Sequence, residues 1–197
     1  MSTGGQAIAQ NRARRRAQEQ TATRAAILEA ARKVGARDGA RHLSLRAVAA
    51  EAGFAPAALY GYFGNKDELL LALAADDLSL VARAMRDAGL NAPPAEKLEA
   101  AALAAVRLLQ QTETLATAPA ALSGGLAPDA ERIFNGRLIA ALRSLSDAAG
   151  IPMESRGSQL DTVLLAATLT GLAVMARSGR LGALGFSAEE IVARLKT

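Results

Sequence analysis

A chain of 197 residues fits one large domain or two small ones, and its 51% hydrophobic and 21% charged residues exclude wholesale disorder. Ala supplies 48 residues while aromatics make up 3%, a balance that favours helices over strands, so the predicted fold is all-α. Zero Cys excludes disulfides, thiolate metal sites and cysteine nucleophiles, and one His leaves little for an imidazole cluster or a triad.

No secretory signal is expected, because the first ten residues lack an apolar stretch and run into Arg12, Arg14, Arg15 and Arg16. The longest uncharged apolar run, residues 162–176, has 15 residues, short of the roughly 20 that span a bilayer. A phosphate loop of the G-x-x-x-x-G-K type, a nucleophile–base pair and a metal-ligand cluster are not found. His42 reads as a surface residue. Asp76 and Asp77, like Glu189 and Glu190, point about 100° apart on a helix and read as solvated faces. The expectation is a cytoplasmic protein that is not an enzyme and has no cofactor, metal or membrane partner.

Charge is uneven. Residues 1–75 hold 11 Lys and Arg against 6 Asp and Glu, whereas the rest holds 12 against 13. The basic third would attract a polyanion, either nucleic acid or an anionic surface.

In chain order, residues 1–20 are polar and Arg-rich with almost no large apolar side chain, and are expected to form a flexible basic arm. An amphipathic helix follows over about residues 23–37, with Ile27, Leu28, Ala31 and Val34 on one stripe and Gly39 as a stop. Ser44 is placed to cap a short second helix carrying Leu45, Val48, Ala49 and Ala52. Gly53 ends that helix, and Pro56 suits the first position of a third, where a missing N–H costs nothing. Small Ala49 at the helix crossing, Gly53 in the turn and Leu59 as an apolar plug meet three steric demands of a helix-turn-helix.

A long helix from Lys66 to about Ala88 then joins the two halves, and Asn91 to Pro94 breaks the chain. Another is expected over about residues 95–114, with Leu98, Leu103, Val106 and Leu109 inward. Residues 115–122 read as short or irregular. Pro128 opens a helix that stops near Gly150. Residues 156–177 are apolar nearly all round, which predicts burial on several sides, and the last helix starts at Ser187 with a capping box to Glu190.

Between Ile27 and about Leu71 the sequence resembles the TetR family of bacterial transcriptional regulators. The resemblance is carried by ILEAARKVGARDG, LSLRAVAAEAGF and the run Leu59, Tyr60, Gly61, Tyr62, Phe63, Gly64, Asn65, Lys66, Asp67, Glu68, Leu69. It covers about a quarter of the chain, the rest being similar only as an Ala/Leu-rich helical body. It implies a helix-turn-helix domain over residues 21–66 and an effector-binding and dimerisation domain over residues 67–197. It also implies a homodimer that binds a double-stranded DNA operator and is controlled by a small-molecule effector, most simply as a repressor released by it. Carried over residue by residue, Ser44, Arg46 and Lys66 would meet phosphates, Tyr60 and Tyr62 would contact or flank the backbone, and Ala55, Pro56, Ala57, Ala58 and Gly61 would line the major groove. The sequence departs from the family at Ala55, Ala58 and Gly61, where hydrogen-bonding side chains are usual, so direct base readout should be weak. Arg12, Arg14, Arg15 and Arg16 could compensate by entering the minor groove, or could raise affinity without specificity.

The last two helices are expected to form a four-helix dimer interface with their symmetry mates, as in the family. A pocket should lie among the middle helices, with Val106, Gln110, Phe134, Leu138, Leu165, Thr168, Leu169 and Leu172 as candidate walls. Scarce aromatics favour an apolar or small neutral effector. The alternative is a helical dimer that holds an anionic surface or a protein partner through the same basic third.

Overall fold

The computed structural model describes residues 3–39, 42–112 and 128–195. Over those residues the chain is all-α, with nine α-helices and two short 3₁₀ turns, and it divides into two compact units, Met1–Leu69 and Leu70–Thr197.

The first unit contains α1 (Thr3–Asp38), α2 (Leu45–Ala52), α3 (Pro56–Leu59) and the opening turn of α4 (Lys66–Asn91). α1 corrects an expectation: residues 3–20, anticipated as a flexible arm, continue the first helix. Their side chains from residue 8 to residue 22 are exposed, so packing does not account for the helix. Propensity does, because Ala, Arg and Gln dominate, and extending an existing helix adds a hydrogen bond per residue without a new nucleation cost. From Ile27 onward α1 packs. Ile27, Leu28, Ala31 and Val34 are buried, as are Leu43, Leu45, Val48, Ala49, Leu59 and Phe63.

The second unit holds the remainder of α4, a 3₁₀ turn (Pro94–Glu96), α5 (Lys97–Gln111), α6 (Pro128–Ala149), α7 (Arg156–Arg177), α8 (Arg180–Ala183), α9 (Ala188–Val192) and a closing 3₁₀ turn (Ala193–Leu195). Its core gathers Leu78, Val81, Met85, Val106, Phe134, Leu145, Leu169, Leu172, Leu181 and Val192. Arg86 donates to the Ser144 hydroxyl at 2.9 Å, tying α4 to α6, and Arg177 donates to the Thr112 carbonyl at 2.9 Å, tying α7 to the end of α5. The Ser187–Glu190 capping box is present at the start of α9. The segment expected to be short or irregular, residues 115–122, lies outside the described residues.

Two expectations fail in this unit. Asp77 is buried rather than solvated. α7 is buried on one side only: Thr162, Leu169, Leu172 and Ala173 face the core, while Leu160, Val163, Leu164, Val174 and Met175 are 55%, 52%, 68%, 47% and 40% exposed. By length and composition α7 would suffice to cross a bilayer, but its inner face is a domain core packed against α5 and α6. Apolar character all round here means two apolar faces, one covered and one bare.

Candidate nucleic-acid interface

The frame of the site is built by three local devices. Ser44, extended at φ −138°, accepts a hydrogen bond from the Ala47 N–H at 3.1 Å and starts α2. Gly53 ends it in the left-handed region at φ +73°, and the Phe54 N–H returns to the Ala49 carbonyl at 2.9 Å. Pro56 then occupies the first turn of α3, whose N-cap, Ala55, offers no side-chain acceptor. Ala49 and Leu59 are fully buried, the first letting the helices approach and the second filling the angle between them. The three steric demands read from the sequence are met together.

This frame turns an edge outward. Ala55, Pro56, Ala57, Ala58 and Gly61 are exposed, Tyr60 is 61% exposed, Tyr62 is half-buried and Phe63 is buried beneath them. Gly61 is constrained by more than size, since a Cβ there would lie 3.3 Å from the Ala58 carbonyl oxygen. Ser44 and Arg46 are exposed at the start of α2, and Lys66, partly buried, opens α4. The residues expected to meet phosphates and the α3 edge therefore belong to one compact unit.

Sequence reading missed what steadies that edge. The Arg24 guanidinium stands over the Phe63 ring, 5.0 Å from its centroid, and links α1 to the segment after α3. At the entry to α4, Asn65 Oδ1 accepts from the Glu68 N–H at 2.8 Å, while Glu68 Oε2 accepts from the Gly64 N–H at 2.8 Å. The N-x-x-E spacing was the available signal for this cap, in which the Glu68 side chain reaches one residue beyond Asn65 to Gly64. Arg37 bridges α1 to α2 through Glu51 at 3.1 Å and also holds Asp38 at 3.0 Å. The hydrogen bond from Arg37 keeps the Asp38 carboxyl below its ordinary range, and the same carboxylate raises the Arg37 guanidinium. His42 is exposed and donates from Nδ1 to the Asp38 carbonyl at 2.9 Å.

The arm residues Arg14, Arg15 and Arg16 lie exposed on α1. Arg16 and Tyr62 line one open groove of about 630 Å³, together with Ala13, Ala17, Glu19, Gln20 and Thr23.

In the second unit the eight candidate pocket residues do not converge. Leu138 and Leu169 line an apolar cavity of about 90 Å³ with Leu78, Val81, Met85 and Leu145 among its walls. Val106 and Gln110 line a separate recess of about 290 Å³ beside Arg107, Phe186 and Glu189. Phe134 and Leu172 are core, Leu165 packs against that core, and Thr168 is exposed with its hydroxyl turned back to the Leu164 carbonyl at 2.9 Å. Groups of acidic or imidazole side chains able to hold a metal are not found among the described residues.

The class defined by this fold and edge is an all-helical protein with an N-terminal helix-turn-helix. Residues 27–73 match the family model for bacterial regulatory proteins, tetR family. Over that stretch, about a quarter of its length, the chain is similar to the TetR family of bacterial regulatory proteins. A comparison with curated protein sequences gives no match. Among solved structures, a TetR transcriptional regulator from Rhodococcus sp. RHA1 is 22% identical, with a TM-score of 0.68 over 89% of this chain and 94% of that one. The fatty acid degradation regulator FadR from Bacillus halodurans is 20% identical, with a TM-score of 0.59 over 86% and 93%. FadR from Bacillus subtilis in complex with stearoyl-CoA is 19% identical, with a TM-score of 0.59 over the same 86% and 93%. At these identities the likeness is one of fold.

Proposed function

We propose that the chain is a homodimeric, ligand-responsive repressor that seats residues 55–62 in the major groove of its operator and leaves it when an apolar or small neutral effector enters the second unit. The observation that carries this reading is the exposed edge of Ala55, Pro56, Ala57, Ala58, Tyr60 and Gly61 held on the Ala49–Gly53–Leu59 frame. Ser44 and Arg46, with Lys66, supply phosphate contacts that fix register. Base discrimination by α3 rests on methyl contacts and shape, because its exposed alanines carry no donors or acceptors. A regulator that binds chromosomal DNA works in the bacterial cytoplasm.

Dimerisation is supported by α7. Its bare residues, Leu160, Val163, Leu164, Ala167, Gly171, Val174 and Met175, repeat with helical spacing on the face opposite Leu169 and Leu172. This departs from an interface formed equally by the last two helices, because α9 has five residues and Val192 points into its own core. The two-fold is what sets half-sites about one helical turn, roughly 34 to 36 Å, apart.

The walls of the 90 Å³ cavity are aliphatic apart from Thr170, which supports an aliphatic effector. Ligand sites are typically about 300 to 1,000 Å³. An effector of that size would enter only by parting α4 to α7, so it would favour an arrangement of α4 other than the one described, and that difference in affinity is what couples effector to DNA. The FadR neighbour that holds stearoyl-CoA agrees with an aliphatic effector. The test is selection of genomic fragments by the purified dimer, followed by gel shift with straight-chain aliphatic compounds of increasing length. Selective retention of particular fragments, released by such compounds, is the expected result. Absence of any duplex binding at low salt defeats the regulator reading, and complexes that survive every compound defeat the effector.

A further inference from the structure

α1 extends well beyond the body it packs on, and its phase decides where its arginines point. At 100° per residue, Arg16 falls within about 20° of the core-facing Ile27 and Arg12 within about 60°, whereas Arg15 and Arg14 lie about 120° and 140° away. The stripe Ala13, Arg16, Gln20, Thr23, Ile27, Ala31 and Val34 is continuous, apolar where α2 covers it and polar where the helix overhangs. The overhang therefore turns Arg16 and Gln20 toward the same side as the helix-turn-helix. The groove shared by Arg16, Gln20, Thr23 and Tyr62 is the result.

We propose that this overhang is a helical arm that lays Arg16, with Arg12 one turn further out, along the phosphate backbone of the duplex met by residues 55–62, the groove between the arm and Tyr62 seating a DNA strand. The inference rests on the DNA-binding reading above and adds to it which arginines act and how. A helix about 10 to 12 Å across does not fit a minor groove about 6 Å wide, so while α1 stays helical its backbone lies outside that groove, within reach of the phosphates along its rim. The groove lining suits phosphate instead, since Arg16 shares it with Gln20, Thr23 and Tyr62, residue types that can each donate to a phosphate oxygen. The local charge is complementary, since residues 1–20 carry four Arg and one acidic side chain. That acidic residue, Glu19, lines the same groove and opposes a phosphate there.

The experiment compares full-length variants on one fluorescent duplex selected by the wild-type chain from genomic fragments, with Kd measured across a salt series. Arg16→Ala should weaken binding roughly three- to tenfold and reduce the slope of log K against log salt by about one. The loss from Arg14→Ala should be at least about threefold smaller, because its charge lies off the groove and acts only through screened distance. Glu19→Gln should tighten binding. Ala17→Pro keeps all four arginines but breaks the helix between arm and body, and should lower affinity at least as much as Arg16→Ala, with a thermal melt confirming that the body still folds. Equal losses from Arg14→Ala and Arg16→Ala, with Ala17→Pro silent, would mean an extended arm and would overturn the proposal. Wild-type protein that binds no duplex at low salt, or prefers anionic vesicles, would instead remove the DNA-binding reading on which it rests.

Discussion

Between Ser44 and Phe63 almost every residue has a local reason for its place: a capping hydroxyl, a left-handed glycine, a proline in a first turn, a buried plug. α7 offers no such reasons. Of its 22 residues only Thr162, Leu169, Leu172 and Ala173 are buried, and five large apolar side chains on the other side stand in solvent. Nothing among the described residues of its own unit covers them, so the sense of that face points to a partner surface, whereas the helix-turn-helix has its caps, turn and plug among its own described residues. A surface of that kind on a water-facing helix marks an association site. The contrast separates two kinds of specification, one by short-range stereochemistry and one by apolar area in excess of what the unit's own core uses.

The largest expected effect tests the α7 side of the contrast. Leu164→Arg places a charge on the most exposed apolar position of α7. Sedimentation should show a dimer for wild type and a monomer for the variant. Affinity for a two-half-site operator should fall by about 10² to 10⁴, because the second domain is no longer held near the DNA by the first. The melting temperature of the monomer should move little, as the side chain contributes nothing to its own core. A dimer that survives would move the interface to another face.

The helix-turn-helix should respond in the opposite way, by unfolding rather than dissociating. Leu59 is fully buried, and Leu59→Ala should cost about 2 to 5 kcal/mol in urea melts, with DNA binding lost in step with folding. Gly53→Ala is smaller and cleaner. A Cβ at Gly53 would meet no atom within 4 Å, so its cost comes from the backbone alone, at φ +73°. The penalty should be about 1 to 2 kcal/mol, and Gly53→Asn should recover part of it because Asn tolerates the left-handed region. Equal costs for Ala and Asn would show that something other than φ makes the position selective.

These effects also explain what could be read from the sequence. Ser44, Gly53, Pro56 and Glu190 announce themselves because capping and turn chemistry act over three or four residues. The arm misled because it was judged by its lack of apolar surface, whereas helix propagation from a packed segment needs none. Burial of Asp77 and the bare side of α7 are tertiary facts: periodicity shows that a helix has an apolar side, not how many sides find a partner. The pocket was legible least, since Val106, Leu138 and Leu165 are all plausible walls in sequence. Only helix packing divides them between a recess beside α9, a cavity against α4 and plain core.

The smallest effect concerns the joint between α1 and α2, where Arg37 links Asp38 and Glu51. Because the Arg37 hydrogen bond lowers the folded-state pKa of Asp38, the unfolded chain binds the proton more readily, and stability rises with pH through that interval. The contribution is complete above the ordinary carboxylate range and disappears as pH falls through the lowered folded value. Asp38→Asn should therefore melt slightly below wild type from neutral pH down to about 5, with the gap closing between about 4 and the acid limit. Both partners are solvent-exposed, so added salt should shrink the gap at every pH. A gap that widens on acidification would mean that Asp38 is held by something other than the guanidinium beside it. The joint between the long arm-bearing helix and the helix-turn-helix would then be set by apolar contact alone.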